Sequence, residues 1–349
     1  MNSLEIKAKK PSRRNRKIPA PTPAEDKVPP VEETGGAEES ESDFEAPKSK
    51  ERPSNHPVDI RATMKTQLAG VKAETTGLET GFVDLDEILL NLQPGCLYLI
   101  AGATGMGKSS FCLDVAYHVG TKAQLPVAIF SPETSETAVV EWITCSQSSI
   151  NHRDLRRGLL QDSEWHRYTN TIAKLMSARI FISPAQTIFV SEIRDECLKL
   201  QDEHNPIGLI VVDSLQLLKD VTECRAQEML SAVCALKHLA RELNTVVLLT
   251  SQISPWHLKR DDKTPQLIDL LQWGGIEAVA DAVLFIYRPE LYASRSLPKV
   301  KEPVEVHSDP SASIFVAKNR NGSVGTISLG FQPEYRRFTD LVRDKYGDD

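Results

Sequence analysis

The chain has 349 residues, 40% hydrophobic and 26% charged, the balance of an ordinary globular protein. Its net charge is −7; residues 1–57 hold 11 of the 41 Lys+Arg and 11 of the 48 Asp+Glu, so the rest carries 30 basic against 37 acidic side chains, which argues against a broadly basic, nonspecific nucleic-acid surface while leaving room for a narrow basic channel. No eighteen apolar residues run uninterrupted and the basic start lacks an apolar run behind it, so neither a membrane span nor a secretory signal is expected.

Residues 1–57 pass from a basic block ("KAKKPSRRNRK") through a Pro-rich stretch to an acidic one ("EETGGAEESESDFE"), too poor in apolar side chains to offset the entropy of ordering. A disordered charged tail is expected there, serving either as a contact for nucleic acid or an acidic partner, or as a solubilising segment. Over residues 58–73, "VDIRATMKTQLAG" spaces Ile60, Met64 and Leu68 four apart, one stripe of a short helix that Gly70 would stop. Beyond it, "CLYLIA", "PVAIFS", "ARIFIS", "GLIVVDSL", "TVVLLTSQ" and "DAVLFIYR" read as strands. The segments "KSSFCLDVAYHVG", "FVSEIRDECLKLQDEH" and "RAQEMLSAVCALKHLARELN" read as helices between them. Continuous apolar strands alternating with helices predict an α/β domain, its mostly parallel central sheet covered by helices on both faces. "SIFVAKNRNGSVGTISLGF" adds a C-terminal β-hairpin around an Asn-Gly. One domain over 74–342 accounts for the pattern, with 343–349 as a short tail. Six cysteines without a C-x-x-C pair fit a reducing, cytoplasmic protein lacking structural zinc; Cys112 in "SFCLDVA" and Cys234 in "SAVCALK" are expected as buried thiols.

Chemistry concentrates first in "GATGMGKSS": Gly102, Ala103, Thr104, Gly105, Met106, Gly107, Lys108, Ser109 and Ser110. The pattern G-x-x-x-x-G-K-[ST] between a strand and a helix is a phosphate loop. Its glycines let backbone N–H groups face phosphate oxygens, Lys108 reaches the outer phosphates, and the Ser109 hydroxyl ligates Mg²⁺. ATP and Mg²⁺ are the expected ligands. Asp213 ends the apolar run "GLIVVD" at the same sheet edge and fits a magnesium-coordinating acid. Glu133 in "AIFSPET" reads either as a base activating water or as a helix-start glutamate held by the helix dipole. Gln252 ends "VVLLTSQ" as a γ-phosphate sensor or a strand cap.

The run "TGLETGFVDLDEILLNLQPGCLYLIAGATGMGKSSF" resembles the opening of the RecA-like motor domain of bacterial DnaB-type replicative helicases. "VAIFSPETS", "DLRRGLLQDSEW", "GLIVVDSLQLL", "LKHLARELNTVVLLTSQIS", "IEAVADAVLFIYR" and "VAKNRNGSVGTISLGF" follow in the family's order, from about Thr76 to Leu341. The resemblance implies a RecA-like P-loop NTPase in a hexameric ring that hydrolyses nucleotide between subunits and moves on single-stranded DNA. It assigns catalysis to Glu133 and the metal to Asp213, and makes Gln252 the link between γ-phosphate and DNA-facing loops. It makes Lys318 and Arg320 of "AKNRNG" a basic pair that reaches the neighbouring subunit's site, where positive charge stabilises the transferring phosphoryl group.

Three departures qualify this. The family's helical N-terminal domain has no counterpart in the tail and linker-helix remnant, which argues against a primase contact; a loader or other replication protein remains an expected partner. The family's "DLRESGSIE" is here "DLLQWGGIE", with Leu271, Gln272 and Trp273 replacing arginine, glutamate and serine. Trp273 fits either base stacking or an apolar gap. Lys259, Arg260 and Lys263 fit either phosphate contacts or an ordinary exposed loop. Pro255 and Ser214 replace an arginine and an aromatic residue. Two further readings follow: a RecA-like DNA-dependent ATPase that assembles without unwinding, and a nucleotide-gated interaction protein working through its tail.

Overall fold

The computed structural model describes residue 60 and residues 77–221, 225–292 and 311–341. Both predicted tails and nearly all of the 58–73 segment lie outside the described residues; Ile60 is helical and exposed.

Six strands form at the six apolar runs, five inside them and β1 running one residue past: β1 (Leu97–Gly102), β2 (Val127–Phe130), β3 (Ile180–Ser183), β4 (Leu209–Val212), β5 (Val246–Gln252) and β6 (Ala282–Tyr287). They pair in parallel in the order β3-β2-β4-β5-β1-β6. Beyond β6 the sheet continues antiparallel through β7 (Ser311–Asn319), β8 (Gly325–Gln332) and β9 (Arg337–Asp340). The expected hairpin is therefore the first two strands of a three-stranded extension. The third is only four residues long, too short to stand out in the sequence.

Side chains alternate across a strand. In β1, Tyr98 and Ile100 enter one core and Leu97, Leu99 and Ala101 the other. Both faces are covered, so both sets are apolar and the run reads as continuous. The first core is closed by α1 (Val83–Leu89), α2 (Lys108–His118) and α3 (Glu136–Ser148). Two more helices, α4 (His152–Arg157) and α5 (Asp162–Ser177), follow α3. The second core is closed by α6 (Val190–His204) and α7 (Ala226–Leu243), with the short α8 (Ile276–Val279) beside them.

The stripe on α7 is Met229, Ala232, Val233, Leu236, Leu239, Ala240 and Leu243, all buried at helical spacing. Cys234 lies off that stripe and is exposed, which corrects its expected burial: an apolar run in sequence is not one face of a helix. Cys112 is buried as expected.

One ion pair joins three elements at the start of β1. Asp281 accepts from Leu97 N at 2.7 Å and from Lys237 Nζ at 2.5 Å, and Lys237 also donates to Gly95 O at 2.7 Å. Both side chains are under one-tenth exposed. Removing one partner strands a buried charge, at a cost of about 3–5 kcal/mol.

Candidate active site

Strand β1 ends at Gly102 and α2 begins at Lys108, so the glycine loop links strand to helix as its sequence requires. Gly105 and Gly107 hold φ of +86° and +100°, open to glycine and strained for other residues. At Gly107 a Cβ would also sit 3.0 Å from the Phe338 ring. Lys108 folds back so that its Nζ donates to Gly102 O and Ala103 O, both at 3.0 Å. Burial draws its pKa down, while Asp213, Cys112 and Glu133 oppose that shift. The lysine is thus held at the loop's own backbone, beside two carboxylates.

Thr104, Gly105, Gly107, Lys108, Ser109 and Ser110 line an open cleft of about 1120 Å³. Gly102, Ala103 and Met106 are not in its lining. The first two supply the carbonyls that hold Lys108, and Met106 is buried in the first core beneath the loop.

Opposite the loop stand the ends of β2, β4 and β5. Asp213 follows β4, its backbone N–H donating to Phe130 O at 2.9 Å and its Oδ1 accepting from Thr250 Oγ1 at 2.5 Å. Glu133 is exposed in the turn between β2 and α3 and faces the same cleft. The start of α3 belongs to others: Ser135 caps it, accepting from Ala138 N at 3.3 Å, and Glu136 is its first acidic residue. Glu133 lies in the turn just ahead of that helix start. Gln252 is the exposed last residue of β5 and also lines the cleft. Its backbone is held on both sides, its N–H donating to Gln216 Oε1 at 3.3 Å and its C=O accepting from Trp273 Nε1 at 2.7 Å.

Among the described residues no three His, Cys, Asp or Glu side chains cluster as a closed metal cage. A serine hydroxyl and two carboxylates at one cleft suit a hard, oxygen-seeking cation that keeps its waters and shares phosphate oxygens. Ser109 and Asp213 both line that cleft.

Sequence reasoning missed the third wall. Arg288, Phe331, Pro333, Arg336 and Trp142 line it. Arg288 is 6% exposed, stacks over Phe331 at 3.9 Å, pairs with Glu290 at 2.7 Å and reaches Gly105 O at 3.4 Å. Arg336, at φ +56°, lies over the Trp142 ring at 4.4 Å. The signal for Arg288 was available: a charge directly after an apolar strand whose neighbours end at the same edge.

Lys318 and Arg320 lie elsewhere. Antiparallel pairing sets Asn319 opposite Ala282, which is level with Tyr98 near the start of β1. The phosphate loop leaves the other end of β1, about 15 Å away at 3.3 Å per residue. Lys318 Nζ donates to the carbonyls of Glu277, Ala278 and Ala280 at 2.6, 3.0 and 2.7 Å. Arg320 donates to Ala278 O at 2.6 Å and pairs with Asp281 at 3.4 Å.

The predicted DNA-facing residues divide by the geometry of a 3₁₀ turn over Pro255–Lys259. Arg260 is tied to Asp269 at 2.8 and 2.9 Å and to Thr264 O at 2.7 Å, so its charge is engaged inside the loop. Lys263 donates to Leu258 O at 2.8 Å and to Arg260 O. Lys259 points out, its Nζ 3.6 Å from the centre of the Trp256 ring. Trp273 is half-buried, packed against the second core and bonded to Gln252.

Residues 77–340 match the family model of the DnaB-like helicase C-terminal domain. Among curated proteins the chain is 38% identical over 273 residues to the replicative DNA helicase DnaB of Geobacillus stearothermophilus, covering 77% of this chain and 58% of that protein. It is 36% identical over 280 residues to the replicative DNA helicase DnaC of Bacillus subtilis (strain 168), covering 79% of this chain and 59% of the relative. The chain thus spans about three-fifths of the length of these relatives. Among solved structures it resembles a chain described as an ATPase domain, with a TM-score of 0.72 at 27% identity over 81% of this chain and 97% of that one. A DnaB-like replicative helicase, whose structure was described with its primase interactions, matches with the same score and identity over 80% of this chain and 67% of that one.

Proposed function

The chain belongs to the DnaB-like helicase family, and on that premise we propose that it is an ATP-hydrolysing DNA helicase that assembles as a hexameric ring and translocates on single-stranded DNA in replication. One observation carries the reading. Lys108, Asp213, Glu133 and Gln252 share one cleft at the C-terminal edge of the parallel sheet, while Lys318 and Arg320 stand at the opposite edge. A site built that way is finished by a neighbour.

In this reading the loop N–H groups and Lys108 hold the β- and γ-phosphates, with Ser109 and Asp213 holding magnesium. The ion neutralises charge on the phosphate oxygens when bound. Glu133 takes the proton of the attacking water. Gln252 senses the γ-phosphate from the end of β5. Arg320 of one subunit, with Lys318 beside it, stabilises the transition-state charge in the next.

A second reading, a DNA-dependent ATPase that does not unwind, is favoured by one feature: Arg260 is neutralised by Asp269 in the loop expected to grip phosphates. Turnover of ATP with and without single-stranded DNA, followed by strand displacement on a forked duplex, separates the two. Stimulated turnover with displacement supports the helicase; stimulated turnover without displacement supports the second reading; turnover indifferent to DNA sinks both.

A further inference from the structure

Residues Pro255–Lys259 form a 3₁₀ turn directly after the β5 end that carries Gln252. Three residues complete such a turn, so positions three apart eclipse. Ser254, His257 and Arg260 share the inner face. Ser254 caps the turn by accepting from Trp256 N at 3.3 Å. His257 is 2% exposed, its Nδ1 within 2.6 Å of Ser254 O and its Nε2 within 2.9 Å of Tyr292 Oη. Arg260 closes the loop onto Asp269. Trp256 and Lys259 share the outer face. The indole is 66% exposed, and the Lys259 ammonium sits 3.6 Å from its ring centre.

We propose that Trp256, covered on one face by Lys259, is a preformed stacking platform for a base of single-stranded nucleic acid. The inference rests on the single-strand reading above and deepens it by naming the residue and the mode of contact. An exposed tryptophan costs solvation unless something covers it, and among the described residues the ring is 66% exposed with Lys259 over one face. The inner anchors fix the backbone of the turn that carries the ring, which lowers the ordering entropy left to be lost on binding. A flat π face beside a cation is the surface on which bases stack without regard to sequence.

The charge balance separates stacking from phosphate grip. Asp261 and Asp262 are exposed beside Lys259 and Lys263, and Arg260 is neutralised, so this loop has little net positive charge to offer phosphates. Its contribution to binding should therefore depend weakly on salt, unlike a phosphate contact, which releases counterions.

The test uses the full chain with a non-hydrolysable ATP analogue and a thymidine oligonucleotide carrying one 2-aminopurine. Wild type should bind and change the 2-aminopurine signal. Trp256→Ala should weaken binding by about 5- to 100-fold, by a factor that holds between low and moderate salt, with an unchanged thermal midpoint showing an intact fold. Trp256→Phe should retain most of the affinity. Equal affinity and equal 2-aminopurine response in wild type and Trp256→Ala would overturn the platform while leaving the helicase reading standing. Failure of wild type itself to bind the oligonucleotide would overturn the single-strand reading, and the platform with it.

Discussion

The indole N–H of Trp273 donates a 2.7 Å hydrogen bond to the carbonyl of Gln252, joining the end of the 3₁₀ segment Leu267–Trp273 to the strand end that faces the cleft. On the other side of the same residue, Gln216 accepts from the Gln252 N–H and donates to Ser251 Oγ at 2.9 Å. Gln252 is thus clamped by two side chains from two loops, and one of them is a tryptophan where the family has serine. Trp273→Phe keeps the ring and removes the donor. Its expected effect is a several-fold fall in stimulation of turnover by single-stranded DNA, with about 1 kcal/mol of stability lost. Steady-state hydrolysis across a DNA titration, beside a denaturant melt, checks both.

Lys108→Ala should abolish hydrolysis, since in the proposed reading the ammonium held against Gly102 O and Ala103 O is the loop's own cation for the phosphates. Gly107→Ala should reach a similar end by another route. At φ +100°, with Phe338 carbons at 3.0 and 3.1 Å from the new Cβ, the loop must shift, at a cost of about 1–3 kcal/mol. Fluorescent-nucleotide binding should weaken in both, while only Gly107→Ala lowers the thermal midpoint through backbone strain.

Arg320→Ala should bind nucleotide with near wild-type affinity and lose turnover by at least about a hundredfold. Mixing it with Lys108→Ala is the sharper check. Each variant keeps the half of the site that the other lacks, so mixed assemblies should recover part of the activity. Mixtures as inert as either parent would rule out a site shared between subunits.

Asp114 predicts a pH dependence. Its carboxylate is 8% exposed and accepts from Ser146 Oγ, Gln147 Nε2 and Phe338 N at 2.7, 2.8 and 2.9 Å. Burial outweighs these donors and raises its pKa from 3.8 to about 7. The folded chain therefore holds this proton at pH values where the unfolded chain has released it. The resulting destabilisation is absent below about pH 4, grows as pH rises, and is complete above about 7. The thermal midpoint of wild type should fall between about pH 5.5 and 8 by more than that of Asp114→Asn. Parallel profiles would show that Asp114 is charged throughout the range.

The strands are legible in the sequence because parallel strands buried on both faces must be apolar along their whole length, as in "CLYLIA" and "GLIVVD". The phosphate loop is legible because its glycines and lysine are fixed by local backbone geometry. Helix α5 also carries a stripe at helical spacing, Trp165, Tyr168, Ile172 and Leu175, although it buries only Thr171 fully. Arg260 and Trp256 escape a sequence reading for one shared reason. Sequence shows a basic cluster, but only the three-residue period of the turn decides which side chains face out, and only the fold brings Asp269 to Arg260. Arg288 and Phe331 meet across distant chain segments, a proximity no local pattern encodes.

The two ends of β1 carry different halves of the site proposed to be shared between subunits, the phosphate loop at one and the Asp281–Arg320 corner at the other. A two-fold dimer could complete both halves only if corner and cleft lay within one self-complementary patch. A head-to-tail contact, each subunit offering its corner to the next one's cleft, would satisfy both halves with the two on separate faces. Repeated, such a contact closes into a ring or winds on as a helix, so the placement of two residues at opposite ends of one strand gives the whole assembly a direction.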